Sequence, residues 1–258
     1  MRYLVSIIGV ILLVPLLMMK KAFEINVRHQ DIELEKYQGE KPVTIFFISD
    51  IHRRKITNRL LRKVNGEIHA VIIGGDLAEK GVPLSRIEQN IKALAKIGPI
   101  YYVWGNNDRE VGAHHIRKYI QNVGGIVLEN EAICLTNMEQ PVWLIGLEDV
   151  SSGHADIEKS FENVPNNDPV IFVSHTPFVF DKVRNRFHSD LLLAGHTHGG
   201  QIRLGKWGYY QKGALTTCQN EVTLISNGFG TTLVPLRLGA PAECHVLSIK
   251  HGSSTNVQ

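Results

Sequence analysis

Leu191-Leu192-Leu193-Ala194-Gly195-His196-Thr197-His198-Gly199-Gly200 carries a four-residue apolar run straight into two imidazoles separated by one residue. A short continuous apolar run stopped by glycine suits a buried strand. Two histidines in the loop just past such a strand are hard to account for by packing, whereas imidazole is a common transition-metal ligand.

Four more stretches repeat the arrangement of apolar run and polar loop. Val43–Ile48 leads into Ser49-Asp50-Ile51-His52, and Ala70–Ile73 into Gly74-Gly75-Asp76. Ile100–Trp104 leads into Gly105-Asn106-Asn107-Asp108, and Val170–Val173 into Ser174-His175-Thr176-Pro177. In open α/β sheets the loops at strand carboxyl ends gather at one rim, so distant residues can converge there. The candidate metal ligands are Asp50, His52, Asp76, Asn106, His175, His196 and His198. Imidazole, carboxylate and amide oxygen together suit Mn, Fe, Zn or Co, with Mn favoured. Seven ligands exceed the need of one ion, and two divalent ions sharing a carboxylate would use them all.

Further apolar runs at Val142–Leu147, Val222–Ile225 and Cys244–Ile249 read as strands. Leu84, Ile87, Ile91, Leu94 and Ile97 make one apolar stripe on a helix that begins near Pro83 and stops at Gly98-Pro99. A second helix is expected from Ala113 to Val123, ended by Gly124-Gly125. Strand, helix, strand, helix, strand in the first half argues for an α/β layered architecture; the strand-rich second half argues for a second or mixed sheet.

Composition excludes little. The chain has 258 residues, 43% of them hydrophobic, and a formal net charge of +3. That falls short of the dense basic stripe of a nucleic-acid binder, so no specific nucleic-acid partner is expected. Cys134, Cys218 and Cys244 show no CxxC spacing and read as small core residues.

Tyr3–Met19 carries no charge and lies between Arg2 and Lys20-Lys21. With no small-residue cleavage site after it, residues 1–21 are expected to be an uncleaved single-pass membrane helix. Residues 22–41 would be a stalk leading into an edge strand, 42–250 the catalytic domain, and 251–258 a polar tail. Location at the cell membrane follows, with a charge bias toward a cytoplasmic domain.

Taken together, the five blocks resemble the calcineurin-like metallophosphoesterase superfamily, where they occur in this order. Gly195–Gln201, Asn227-Gly228-Phe229-Gly230 and Pro235–Glu243 are similar to its membrane-associated bacterial phosphodiesterase and pyrophosphatase branch. The resemblance implies a four-layer αββα sandwich, two mixed sheets flanked by helices. It also implies that Asp50, His52 and His198 hold one ion, that Asp76 bridges, and that Asn106, His175 and His196 complete the second. Hydrolysis of a phosphodiester or pyrophosphate by metal-activated hydroxide is the implied activity, on a phosphate-containing substrate that is lipid-linked or a nucleotide. Asn107 departs from the pattern, since the family usually has a histidine there that assists the leaving oxygen. An amide can donate a hydrogen bond but not a proton, which favours diesters and anhydrides over monoesters and assigns Asn107 and Asp76 as catalytic. The same departure keeps a second reading open, a catalytically silent metal-binding membrane scaffold.

Other positions carry two readings each. Asp108 either orients its loop and nearby histidines or is a surface turn carboxylate. Arg53, Arg54 and Lys55 either meet phosphate or form a solvated charge run, and Phe229, Leu233 and Leu236 either form an apolar lip or cover the core.

Overall fold

The computed structural model describes residues 13–135, 138–218 and 220–252. Two six-stranded sheets form the frame. In chain order the strands are β1 (Asn26–Leu34), β2 (Val43–Ile48), β3 (Ala70–Gly74), β4 (Ile100–Val103), β5 (Ile126–Leu128), β6 (Glu131–Leu135), β7 (Val142–Gly146), β8 (Val170–Val173), β9 (Leu191–Ala194), β10 (Ala214–Cys218), β11 (Glu221–Ile225) and β12 (Glu243–His251). The first sheet runs β1-β12-β2-β3-β4-β5 and the second β10-β11-β9-β8-β7-β6. Each is mixed, parallel except where β12 meets β2, where β6 meets β7 and where β10 meets β11.

Both faces of each sheet are covered, which explains why the central strands are continuous apolar runs. In β2, Ile45 and Phe47 enter the core between the sheets while Phe46 and Ile48 face the opposite side. Successive side chains alternate across a strand, and β9 divides likewise, with Leu191 and Leu193 inside and Leu192 and Ala194 outside. The helices Asn58–Leu61, Leu84–Leu94 and Ala113–Asn122 cover the first sheet through Leu60, Ile87, Ile91, Leu94, Ile116 and Ile120. The helix Phe180–Arg184 covers the second through Phe180 and Val183. The molecule is therefore an α/β sandwich of two mixed sheets flanked by helices.

The expected stalk and the first residue of the expected tail take part in the first sheet. Residues 22–41 are more than a stalk, because Asn26–Leu34 pairs in parallel with β12 as an edge strand and buries Ile32 and Leu34, and Tyr37 beyond it is buried too. At the other end β12 continues through His251, whose Nδ1 lies 2.8 Å from the Tyr37 carbonyl oxygen. As for the anchor, residues 1–12 lie outside the described region and 13–22 are helical. Among the described residues no helix is long and apolar enough to cross a membrane.

Candidate metal centre

The loops after β2, β3 and β4 in one sheet and after β8 and β9 in the other meet at one rim, because those strands run parallel within each sheet. Backbone bonds lock the loops together: Asp50 N–H donates to Gly75 O at 3.0 Å, His52 N–H to Asp76 O at 3.1 Å, and Gly195 N–H to His175 O at 3.0 Å. Five of the seven candidate ligands, Asp50, His52, Asp76, His196 and His198, have left-handed φ between 49° and 68°. Such conformations cost on the order of 1–3 kcal/mol each and persist where the surroundings enforce them. Close approach also demands glycine. Gly75 has φ +83°, and a Cβ there would come within 2.5 Å of His175 Nδ1; one on Gly195 would strike the Asp50 carboxylate.

All seven side chains converge. His52 Nε2 lies 3.1 Å from His198 Nε2, and His198 Nε2 lies 3.4 Å from Asp50 Oδ1. A second group joins Asn106 Oδ1 to His196 Nδ1 at 2.9 Å and to His175 Nε2 at 3.2 Å, with the two imidazole nitrogens 3.2 Å apart. Asp76 Oδ2 stands between the groups, 3.6 Å from His52 Nε2 and 3.4 Å from His175 Nε2. These spacings match the edges of a coordination shell with bonds of about 2.1 Å.

The charge pattern fits cations. Burial opposes ionisation of Asp76, yet His175 and His52 hold its carboxyl well below the usual range; His198 and His175 do the same for buried Asp50. Burial also opposes a charged His175, yet Asp76 and Asp50 raise it to about 10, so the field at Nε2 attracts positive charge. His198 is held neutral, near 4, by burial against the pull of Asp50 and with the help of His52 and Arg237. Neutral imidazole is the form a metal requires. His175 Nδ1 donates to Gly74 O at 2.9 Å, which turns Nε2 toward the centre, where a cation would replace its proton. Soft thiolates are absent from this set, and its N/O chemistry fits a pair of divalent ions.

Two residues behind the ligands escape sequence reasoning. Glu79 Oε2 lies 3.0 Å from His52 Nδ1 and pairs with Arg53, and its carboxyl is lowered chiefly by the His52 contact. A carboxylate behind a ligand histidine fixes the ring and raises its basicity. Glu79→Gln should therefore weaken metal affinity roughly 10–100-fold by calorimetric titration. The available signal was its place three residues after Asp76. Arg237, fully buried, donates to the carbonyls of His198, Asn227, Gly228, Gly230 and Ala240. The Asn227–Gly230 and Pro235–Glu243 motifs thus fold around one guanidinium behind His198.

Several of the dual readings resolve. Asp108 is buried, not a surface turn; its carboxylate accepts from Gly105 N–H at 2.8 Å and Ala78 N–H at 3.0 Å, tying two ligand loops. Burial and then Asp76 raise it to about 7. Arg54 is spent on the carbonyls of Phe23, Glu24 and Phe229. Phe229 is core, whereas Leu233 is 95% exposed. Asn107 donates from its backbone to Asp76 Oδ1 at 2.9 Å and from Nδ2 to Asp76 Oδ2 at 2.7 Å, so its amide is engaged on the Asp76 carboxylate.

Fold and centre together define a metal-dependent phosphoesterase with a dinuclear-like Asp/His site. Residues 43–200 match the family described as calcineurin-like phosphoesterase. The chain is 40% identical over 255 residues to the uncharacterized protein YpbG of Bacillus subtilis (strain 168), covering 96% of this chain and 98% of that protein. It is 28% identical over 174 residues to the phosphodiesterase YaeI of Escherichia coli (strain K12), covering 63% of each. Among solved structures, a 5'-nucleotidase precursor from Thermus thermophilus shares the fold with a TM-score of 0.51 at 11% identity, over 80% of this chain and 55% of that one. The chain belongs to the calcineurin-like phosphoesterase family.

Proposed function

We propose that the protein hydrolyses a phosphodiester or pyrophosphate bond at a dinuclear centre. The observation that carries this is Asp76 Oδ2 standing within reach of both imidazole groups, 3.6 Å from His52 Nε2 and 3.4 Å from His175 Nε2. Asp50, His52 and His198 would hold one divalent ion, Asn106, His175 and His196 the other, and Asp76 both. Ions there supply Lewis acidity to phosphoryl oxygens and lower the pKa of water.

The chain's own groups do the rest. Asn107 holds the Asp76 carboxylate by two hydrogen bonds and keeps the shared oxygen between the two groups. Ser49 Oγ donates to Asp50 Oδ2 at 2.6 Å and His196 N–H to Asp50 Oδ1 at 3.1 Å, fixing the second carboxylate. No proton donor occupies position 107, so a substrate whose leaving group departs without protonation is favoured. The diester preference is supported by the phosphodiesterase name of the Escherichia coli relative.

Loading the purified chain with Mn and assaying bis-p-nitrophenyl phosphate tests the reading: two ions per chain and diester turnover are expected. Background rates with metal bound would leave the silent scaffold instead. Replacing Asn107 with histidine should raise monoester relative to diester hydrolysis at least about tenfold, since a placed general acid contributes roughly 10²–10⁴. An unchanged ratio would remove position 107 from the account of substrate preference.

A further inference from the structure

Beside the centre runs a cleft of about 310 Å³ that shares His196 and His198 with it. That volume is at the lower end of ligand-pocket sizes. Its remaining wall is Ile202, Tyr209, Tyr210, Leu233 and Val234 over a floor of small and polar groups, with no carboxylate, ammonium or guanidinium among the lining residues. Its side-chain amide is already consumed. Gln201 Nε2 donates to Thr232 O and Val234 O, both at 3.1 Å, and Oε1 accepts from Thr232 N–H at 2.9 Å.

Aromatic rings flank the cleft. Phe178 packs edge-on to His196 at 5.9 Å and lies 6.0 Å from Tyr210, giving the ligand histidine an aromatic flank. Leu233, Tyr209 and Phe178 are 95%, 86% and 60% exposed. Large apolar side chains left in water together mark a binding surface.

We infer that this cleft binds a hydrocarbon group of the substrate, so that the centre acts on amphiphilic phosphodiesters or pyrophosphates. The inference rests on the hydrolase reading above. Three observations select the occupant. Continuity with His196 and His198 places anything in the cleft next to the phosphorus being attacked. No carboxylate, ammonium or guanidinium lines the cleft, which disfavours a second phosphate or an ionic headgroup as the occupant. A nucleobase needs donors and acceptors set in a pattern, and Gln201, the residue suited to read one, is spent on its own loop.

The test is a series of methyl, butyl and octyl p-nitrophenyl phosphodiesters below their micellar concentrations, with the metal-loaded full chain. In each, water adds at phosphorus and the bond to the aryl oxygen breaks, giving the alkyl phosphate and p-nitrophenol. A methylene fully buried multiplies kcat/KM by about fourfold, and partial burial in an open cleft should still give about 30-fold or more from methyl to octyl. Leu233→Asp and Tyr209→Ser, both at exposed positions, should flatten that dependence, a ratio taken within each variant.

A flat series with the methyl ester hydrolysed would overturn the inference and leave the hydrolase reading standing. Failure to hydrolyse any ester, with two ions bound, would strike the hydrolase reading instead. Faster turnover of thymidine 5'-p-nitrophenyl phosphate than of the octyl ester would also overturn it, in favour of a nucleotide. So would an undiminished chain-length dependence in both variants.

Discussion

Asp76→Asn is expected to lower diester turnover by about 10³ or more and to reduce occupancy of both ions together. The size follows from losing one preorganised charge at the reacting centre, which costs on the order of 10²–10³ even for a single neutral donor. Asp76 does more, since the same oxygen faces His52 and His175, and its negative charge is the chief influence raising His175 against burial. An amide in its place offers one neutral oxygen, and its NH2 meets Asn107 Nδ2, which now donates at 2.7 Å. Metal analysis by mass spectrometry alongside the diester assay distinguishes the cases. Loss of one ion with the other retained would mean that Asp76 belongs to one site alone. Parent rate and parent metal content would remove it from the centre.

Arg237→Leu is expected to destabilise the fold by about 3–5 kcal/mol, among the largest effects of a single substitution. Five buried carbonyls, those of His198, Asn227, Gly228, Gly230 and Ala240, receive their charged donor from this one guanidinium. Leucine offers none of them a donor; the carbonyls of His198 and Gly228 keep the N–H groups of Gln201 and Glu243, both at 3.0 Å, while those of Asn227, Gly230 and Ala240 lose their side-chain donor. A buried acceptor left without a partner costs roughly 1–3 kcal/mol. Among the described residues no carboxylate pairs with Arg237 directly, and burial lowers its pKa to about 10 while Asp50 and Glu243 act from a distance to keep it charged. Lysine keeps the charge but has three donors on one nitrogen and cannot span the same set, so Arg237→Lys should fall between parent and leucine variant. Urea melts of the three proteins measure this. A leucine variant within about 1 kcal/mol of the parent would show that the loop around position 237 finds other donors. Because Arg237 Nη1 donates to the His198 carbonyl at 3.2 Å and holds that loop in place, the leucine variant should also bind metal less tightly.

How the strands were legible depends on where they lie. The eight recognised in the sequence are the inner strands of the two sheets, covered on both faces, and several of them are therefore written as continuous apolar runs. The four that carried no clear signal, β1, β5, β6 and β10, are the four sheet edges. An edge strand faces water along one side. Thr216, Thr217 and Cys218 of β10 are exposed, and β1 spends Arg28, His29 and Glu33 on solvent. The alternation of β1 was visible only at Ile32 and Leu34, which pack in the core between the sheets. The helix Leu84–Leu94 was legible because a single stripe, Ile87, Ile91 and Leu94, faces one sheet, and it ends near the expected stop.

The order of polar blocks after apolar runs determined, without coordinates, that Asp50, His52, Asp76, Asn106, His175, His196 and His198 would meet at one rim. Ligand chemistry is local to each loop, and parallel strands carry their loops to the same side. Tertiary structure alone decided what stands behind those ligands. Glu79 against His52, Asp108 across two loops, Arg237 inside a ring of carbonyls and Asn107 on Asp76 are contacts between segments whose side-chain directions depend on left-handed backbone at the ligand positions. Conformations of that kind are held by the packed surroundings rather than preferred by the residues themselves, so a linear pattern of residue types does not record them.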